Sequence, residues 1–174
     1  EPEVYAMAWR DGAIYAGTSP NGKIYRIDPD SGQGTSFFDP QQAYIWALQV
    51  SGDDLLAATG IDGKLFRIGP NGEMRDPLGI AIGTGDGWQQ NAAVGSNGDS
   101  FLVAFTSHSD GGQPHLYGVI VSASGVAGSR FTISDGPGYQ TDPSIASAGG
   151  EYYVVWTDNH ISGTGGIYGT RVSA

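Results

Sequence analysis

The sequence predicts an all-β fold, a β-propeller of four blades. Three observations carry that expectation: the chain repeats itself twice at fixed spacing, each repeat breaks into short β-prone runs, and the composition favours turns over helices. Gly contributes 29 of the 174 residues, Lys and Arg together only 8, and no long Ala/Leu/Glu/Lys stretch of helical period is present. A chain of this length buries a core without disulfides or metals.

The first repeat emerges on a shift of 41 residues. It lays Val4 to Pro29 on Ile45 to Pro70 without a gap, with Ala6/Ala47, Ala16/Ala57, Thr18/Thr59, Gly22/Gly63, Lys23/Lys64, Arg26/Arg67, Ile27/Ile68 and Pro29/Pro70 identical. The β-prone runs of the first unit are VYAMAW, AIYAGTS, KIYRID and TSFFD. Between the second and third runs, Asn21-Gly22 and its counterpart Asp62-Gly63 suit the positive φ angles of a tight hairpin.

The second repeat needs a shift of 51. Gly87 to Ala123 falls on Gly138 to Ala174, again ungapped, and Gln89/Gln140, Ser96/Ser147, Gly98/Gly149, Val103/Val154, Thr106/Thr157, Tyr117/Tyr168 and Gly118/Gly169 coincide. Unit three holds the runs NAAVGS, SFLVAFTS, LYGVIVS and SRFTIS, and unit four PSIAS, EYYVVWTD and IYGTRVS. Four antiparallel strands in about 40 to 50 residues is the arithmetic of a propeller blade. Small residues on the first strands (Ala6, Ala8, Ala47, Ala92, Ala93, Ala146) suit blades crowding a central axis. Larger ones on the middle strands (Ile14, Tyr15, Leu102, Phe105, Tyr153, Trp156) suit the space between blade faces. A β-sandwich could use the same strands; the long ungapped periods favour the propeller.

The run IWALQVSGDDLLAATGIDGKLFRI resembles the TolB-like and NHL-like propeller repeats of bacterial proteins. DPSIASAGGEYYVVWTDN, IYGTRVSA and the outer-strand run DPLGIAI are similar to a second bacterial repeat, of secreted and cell-surface propellers. The resemblance implies blades and leaves the ligand open, because such propellers host hydrolases, lyases, lectins and scaffolds. It also implies an extracellular or periplasmic location.

Two blades of the first type over residues 1–78 and two of the second over 79–174 are expected to form one propeller domain, with a seam near Asn71 to Ile82. Blade four ends at Val172-Ser173-Ala174, one strand short of the pattern. Three arrangements compete, in this order: a fragment or engineered hybrid of a larger propeller, a homo-oligomer completing the ring, and a ring closed by four blades alone.

The formal charge of −10 argues against nucleic acid and anionic membrane surfaces, which need clustered Lys and Arg. No apolar run approaches the roughly 20 residues that span a bilayer as a helix. Absence of Cys removes disulfides and thiolate metal sites.

The repeats put Asp39, Gln41, Gln42 and Tyr44, then Asp86, Trp88 and Gln89, then Tyr139, Gln140 and Asp142 on blade-to-blade connections. Tyr44, Trp88, Gln89, Tyr139, Gln140 and Asp142 are thus the candidate ligand-binding residues: rings cover the apolar faces of sugars or peptides while amides and carboxylates fix their polar groups. The plainer alternative is that these aromatics cap the core between blades. His108, His115 and His160, with Asp110 and Asp158, make a metal site conceivable, though loop histidines without fixed spacing are more often solvated. Asp28-Pro29-Asp30-Ser31-Gly32 hints at an oxygen-rich calcium loop, but an ordinary turn between strands is the favoured reading. No metal or cofactor is therefore assigned. With no nucleophile elbow or HExxH, no catalytic residue is assigned either. The leading expectation is a non-enzymatic scaffold binding protein or carbohydrate by its loop face. A lyase or hydrolase using axial carboxylates such as Asp39, Asp86 and Asp142, with or without a divalent cation, comes second, acidic surface turns being the favoured reading of those three residues. A fragment or engineered propeller without activity of its own comes third.

Overall fold

A computed structural model describes residues 3–76, 78–83, 88–108, 113–159 and 165–173. Their backbone forms four antiparallel sheets, each built from strands consecutive in sequence. The first holds β1 (Glu3–Arg10), β2 (Ala13–Ser19), β3 (Ile24–Ile27) and β4 (Gly34–Phe38). The second holds β5 (Ile45–Ser51), β6 (Asp54–Thr59), β7 (Lys64–Ile68) and β8 (Ile80–Ala81). The third holds β9 (Gln89–Ser96), β10 (Ser100–Ser107), β11 (His115–Ser122) and β12 (Phe131–Ser134), and the last only β13 (Tyr139–Ala148), β14 (Glu151–Asn159) and β15 (Gly165–Ser173). The four expected blades are present, the fourth with three strands, and β8 supplies the outer strand of blade two from the run that resembles the second repeat type.

The first strands pack in sequence, β1 against β5, β5 against β9 and β9 against β13. Between blades one and two, Tyr15 and Ile24 meet Leu55, Phe66 and Ile68. Between blades two and three, Leu56, Ala58 and Leu65 meet Val94, Phe101 and Val103. Between three and four, Leu102, Ala104 and Leu116 meet Tyr152, Val154 and Trp156. These layers supply the stabilisation, since burying one such side chain contributes about 1.5–3 kcal/mol.

Residues identical between repeats do identical work. Thr18 Oγ1 donates to the carbonyl of Lys23 at 2.9 Å, and Thr59 Oγ1 to that of Lys64 at 3.1 Å. Each bond closes the loop between a blade's second and third strands. That loop spans four residues, Pro20 to Lys23, and of the pair Asn21-Gly22 only Gly22 has a positive φ, +46°. A Cβ there would lie 1.7 Å from the carbonyl oxygen of Gln42, so close approach of the next connection as well as φ demands glycine.

Within blade two, Asp54 holds Arg67 and Arg75, each at 3.0 Å. Arg67 also donates to the carbonyl of Ala123 at 2.8 Å and lies over Phe101 of blade three. A charged fork therefore ties the two halves together.

Candidate functional site

Every blade's first strand carries a β-bulge at the same level. The register shifts between Val4 and Ala6 in β1, between Ile45 and Ala47 in β5, opposite Ala104–Thr106 in β9, and between Thr141 and Ser144 in β13. The residues in the bulges are Tyr5, Trp46, Asn91 and Asp142. A bulge re-aims its side chain out of the pleat, and these four side chains line one hollow of about 450 Å³ together with Ala92 and Pro143. Asn91 and Asp142 adopt φ of +52° and +53°, a region that Asn and Asp tolerate better than most residues. Asn91 Nδ2 donates to Asp142 Oδ1 at 2.7 Å, and Thr141 Oγ1 donates to Asp142 Oδ2 at 3.0 Å.

The two repeat types give the hollow two chemistries. Its first-type side is aromatic: Tyr5 meets Trp46 edge to face at 5.2 Å, and Tyr44 stacks on Trp46 at 5.2 Å with 7° between planes. Its second-type side presents the amide of Asn91 and the carboxylate of Asp142. Trp46 can lie where it does because residue 60 is glycine; a Cβ there would be 2.3 Å from Trp46 Nε1. The Tyr5 hydroxyl donates to Glu3 at 3.0 Å, which holds its pKa above the usual phenol value.

Trp46 also borders a cleft of about 360 Å³ between blades two and three, lined by Tyr44, Ile61, Trp88, Gln89 and Gln90. Trp88 is 79% exposed there, an unusual exposure for so large a ring. Hollow and cleft therefore share the Trp46 ring, with Tyr44 stacked on it from the cleft side, and read as one concave surface.

Of the six candidates from the sequence, the structure brings Tyr44, Trp88 and Gln89 to the cleft and Asp142 to the hollow. Gln89 is buried at the cleft's end, fitted against Gly63 and Gly83. Gln140 is not brought to either. It is fully buried, its Nε2 donating to the carbonyls of Gly136 and Gly138 and to Asp158, while His115 Nδ1 donates to its Oε1 at 3.2 Å. Tyr139 is half exposed at the start of β13, opposite Asn159, and lines neither. Tyr5, Trp46 and Asn91 were not singled out by the sequence.

Among the described residues no group of three or more His, Asp or Glu side chains is placed to hold a metal. His108 accepts from Gln90 at 3.3 Å, so the two described histidines bond to glutamines of different blades. Asp86, Asp110 and His160 lie outside the described residues. Asp39 is engaged by Lys23 at 3.5 Å and by the Gln41 amide at 3.0 Å. Asp28 forms a turn, accepting from the amides of Asp30 and Ser31 and from the Ser31 hydroxyl. Those Ser31 bonds hold its carboxyl below the usual range.

No protein-family model matches the chain, and no curated protein matches it in sequence. Solved structures do. An α-L-arabinofuranosidase (CtGH43) from Clostridium thermocellum ATCC 27405 is similar with a TM-score of 0.62 at 14% identity over 98% of this chain and 68% of that one. A thermostable family-43 glycoside hydrolase gives 0.60 at 11% identity over 100% and 70%. The computationally designed Ika4 protein gives 0.52 at 15% identity over 95% and 90%. At these identities the likeness is one of fold, and the fold is a β-propeller.

Proposed function

We propose that this chain is a non-enzymatic propeller scaffold that binds carbohydrate through the concave surface around Trp46. One observation carries the reading: four bulges at one level set aromatic rings on one side of a hollow and an amide and a carboxylate on the other. A sugar ring has the same division, with C–H faces that stack on indole or phenol and hydroxyls that pair with Asn and Asp. The exposed ring of Trp88 extends the platform and suits a second sugar unit. A binding role fits an extracellular or periplasmic location and the secreted repeat type that the second half resembles.

Screening the protein on a glycan array and titrating the best ligand calorimetrically tests this. Trp46→Ala and Trp88→Ala should each weaken binding about tenfold or more, as losing about 1.4 kcal/mol requires. Unchanged affinity in both would remove this surface from consideration. Capture of peptides instead of glycans would transfer the same surface to a protein ligand.

The position of Asp142 in the hollow favours one second reading, a glycoside hydrolase. That chemistry takes a pair of carboxylates, about 5–5.5 Å apart for retention and 6.5–9.5 Å for inversion. Hydrolysis of an aryl glycoside or polysaccharide that Asp142→Asn abolishes while leaving binding intact would establish it.

A further inference from the structure

We propose that two copies of this chain pair head to tail, blade four of each packing on blade one of the other, to close one eight-bladed ring. The inference rests on the repeats and on two sheet faces, and is independent of the binding role.

Each blade has two faces, one toward the blade before it and one toward the blade after. In blade two the face toward blade one consists of Leu48, Val50, Leu55, Ala57, Phe66 and Ile68. The 41-residue shift maps these onto Met7, Trp9, Ile14, Ala16, Tyr25 and Ile27 of blade one. Strand register puts them on one face, Met7 opposite Ala16 and Trp9 opposite Ile14, with Tyr25 opposite Ala16 and Ile27 opposite Ile14. They occupy interface positions, yet Met7 is 69% and Trp9 60% exposed and Ile14, Tyr25 and Ile27 are partly exposed, with only the small Ala16 buried.

Blade four repeats the situation with the other hand. The face of blade three toward blade four includes Leu102, Ala104 and Leu116. The 51-residue shift maps these onto Tyr153, Val155 and Ile167, while Ile120 of the same face maps onto Arg171, which pairs with Glu151 at the margin of an otherwise apolar patch. Ile167 is 75% exposed, and Tyr153 and Val155 are close to half exposed. Burial along the middle strands tells the same story: every residue of β10 is buried, as in a strand packed on both sides, whereas β14 alternates toward solvent at Tyr153, Val155 and Asn159.

One chain therefore carries one open face of each kind, and the occupant that the fold already uses at both is another blade of this chain. Isolated exposed apolar residues need no explanation, but two apolar sheet faces at interface positions do. Faces of opposite kind make a heterologous contact, which closes into a ring only when the rotation permits. Propellers run to about four to eight blades. Two copies reach the top of that range, and three would exceed it.

Light scattering and sedimentation across a concentration series test this on the whole chain. The expected mass is twice 18.1 kDa. A single-chain mass at every concentration would overturn the proposal, as would a mass of three or more chains. Two variants fix the orientation: Met7→Asp on blade one and Val155→Asp on blade four should each be monomeric alone, with circular dichroism and thermal midpoint reporting that they are folded. Mixed in equal amounts they should form a heterodimer, because one retains each face. If Met7→Asp still self-associates, like faces pair and the head-to-tail ring is wrong. If either variant unfolds, Trp9→Lys or Tyr153→Lys takes its place in the same mixture.

Discussion

Asn91 and Asp142, 51 residues apart and equivalent in the second repeat, donate and accept one hydrogen bond of 2.7 Å across the seam between blades three and four. The bond joins two bulges whose backbones both sit at positive φ, so it fixes the polar side of the hollow. Asn91→Asp keeps the side-chain size and the tolerance for that backbone but replaces the donor with a second carboxylate. Two such groups in contact cannot both ionise freely, so one carboxyl pKa rises. The variant should lose about 1 kcal/mol at pH 7 and recover it as the pH drops below the raised pKa, when one carboxyl becomes a donor again. Urea unfolding at pH 7 and pH 4.5, each against the wild type, measures this; equal losses at both would mean that charge is not the cause.

Gln140 holds up the blade beneath the site. Gln140→Leu removes donors to the carbonyls of Gly136 and Gly138 and one donor to Asp158, and leaves the buried Gly138 carbonyl without this partner. A loss of about 2–3 kcal/mol is expected, from about 1–3 kcal/mol for each buried group left unsatisfied. The midpoint of chemical unfolding reports it, and ligand affinity under native conditions should stay within twofold.

Gly60 sets the pose of Trp46 by sterics alone. Gly60→Ala must push the indole away from a Cβ that would otherwise lie 2.3 Å from Nε1. Ligand affinity should fall at least as far as with Trp88→Ala, and the Trp fluorescence spectrum should shift, because the Tyr44–Trp46 stack moves with the indole.

The Asp28 turn yields a pH prediction of fixed sign. Its folded pKa is depressed, first by the Ser31 amide and then by the Ser31 hydroxyl. The turn's contribution is therefore fully present above the ordinary Asp pKa and disappears as the pH falls through the lower folded value. Asp28→Asn should flatten the acid limb of a stability–pH profile and leave the region above pH 6 parallel to the wild type.

The repeats made the blades legible because identical spacing survives in the primary structure; Thr18/Thr59 and Gly22/Gly63 were readable even before their bonds were known. The site was less legible for a physical reason. Tyr5 and Trp46 sit in strands whose two-residue alternation would point them elsewhere, and a single-residue bulge that reverses a side chain leaves no mark on composition or period. The signal was the coincidence of Tyr5 with Trp46 at one shift and of Asn91 with Asp142 at the other. Gln140 shows the converse: placed by the sequence among ligand-facing amides, it is fully buried and its Nε2 donates to the carbonyls of Gly136 and Gly138, a load on the backbone that no loop position announces.

The contrast between β10, buried throughout, and β14, buried at every second residue, sets an order of local opening. In a row of blades where each leans on its neighbours, an inner blade cannot open without breaking two interfaces, while an end blade breaks one. As a single copy, the state that Met7→Asp should hold, the chain should show amide hydrogen exchange slowest in β6 and β10 and fastest in β4 and β15, the outer strands of the end blades, and pairing of two copies should slow exchange in those end blades.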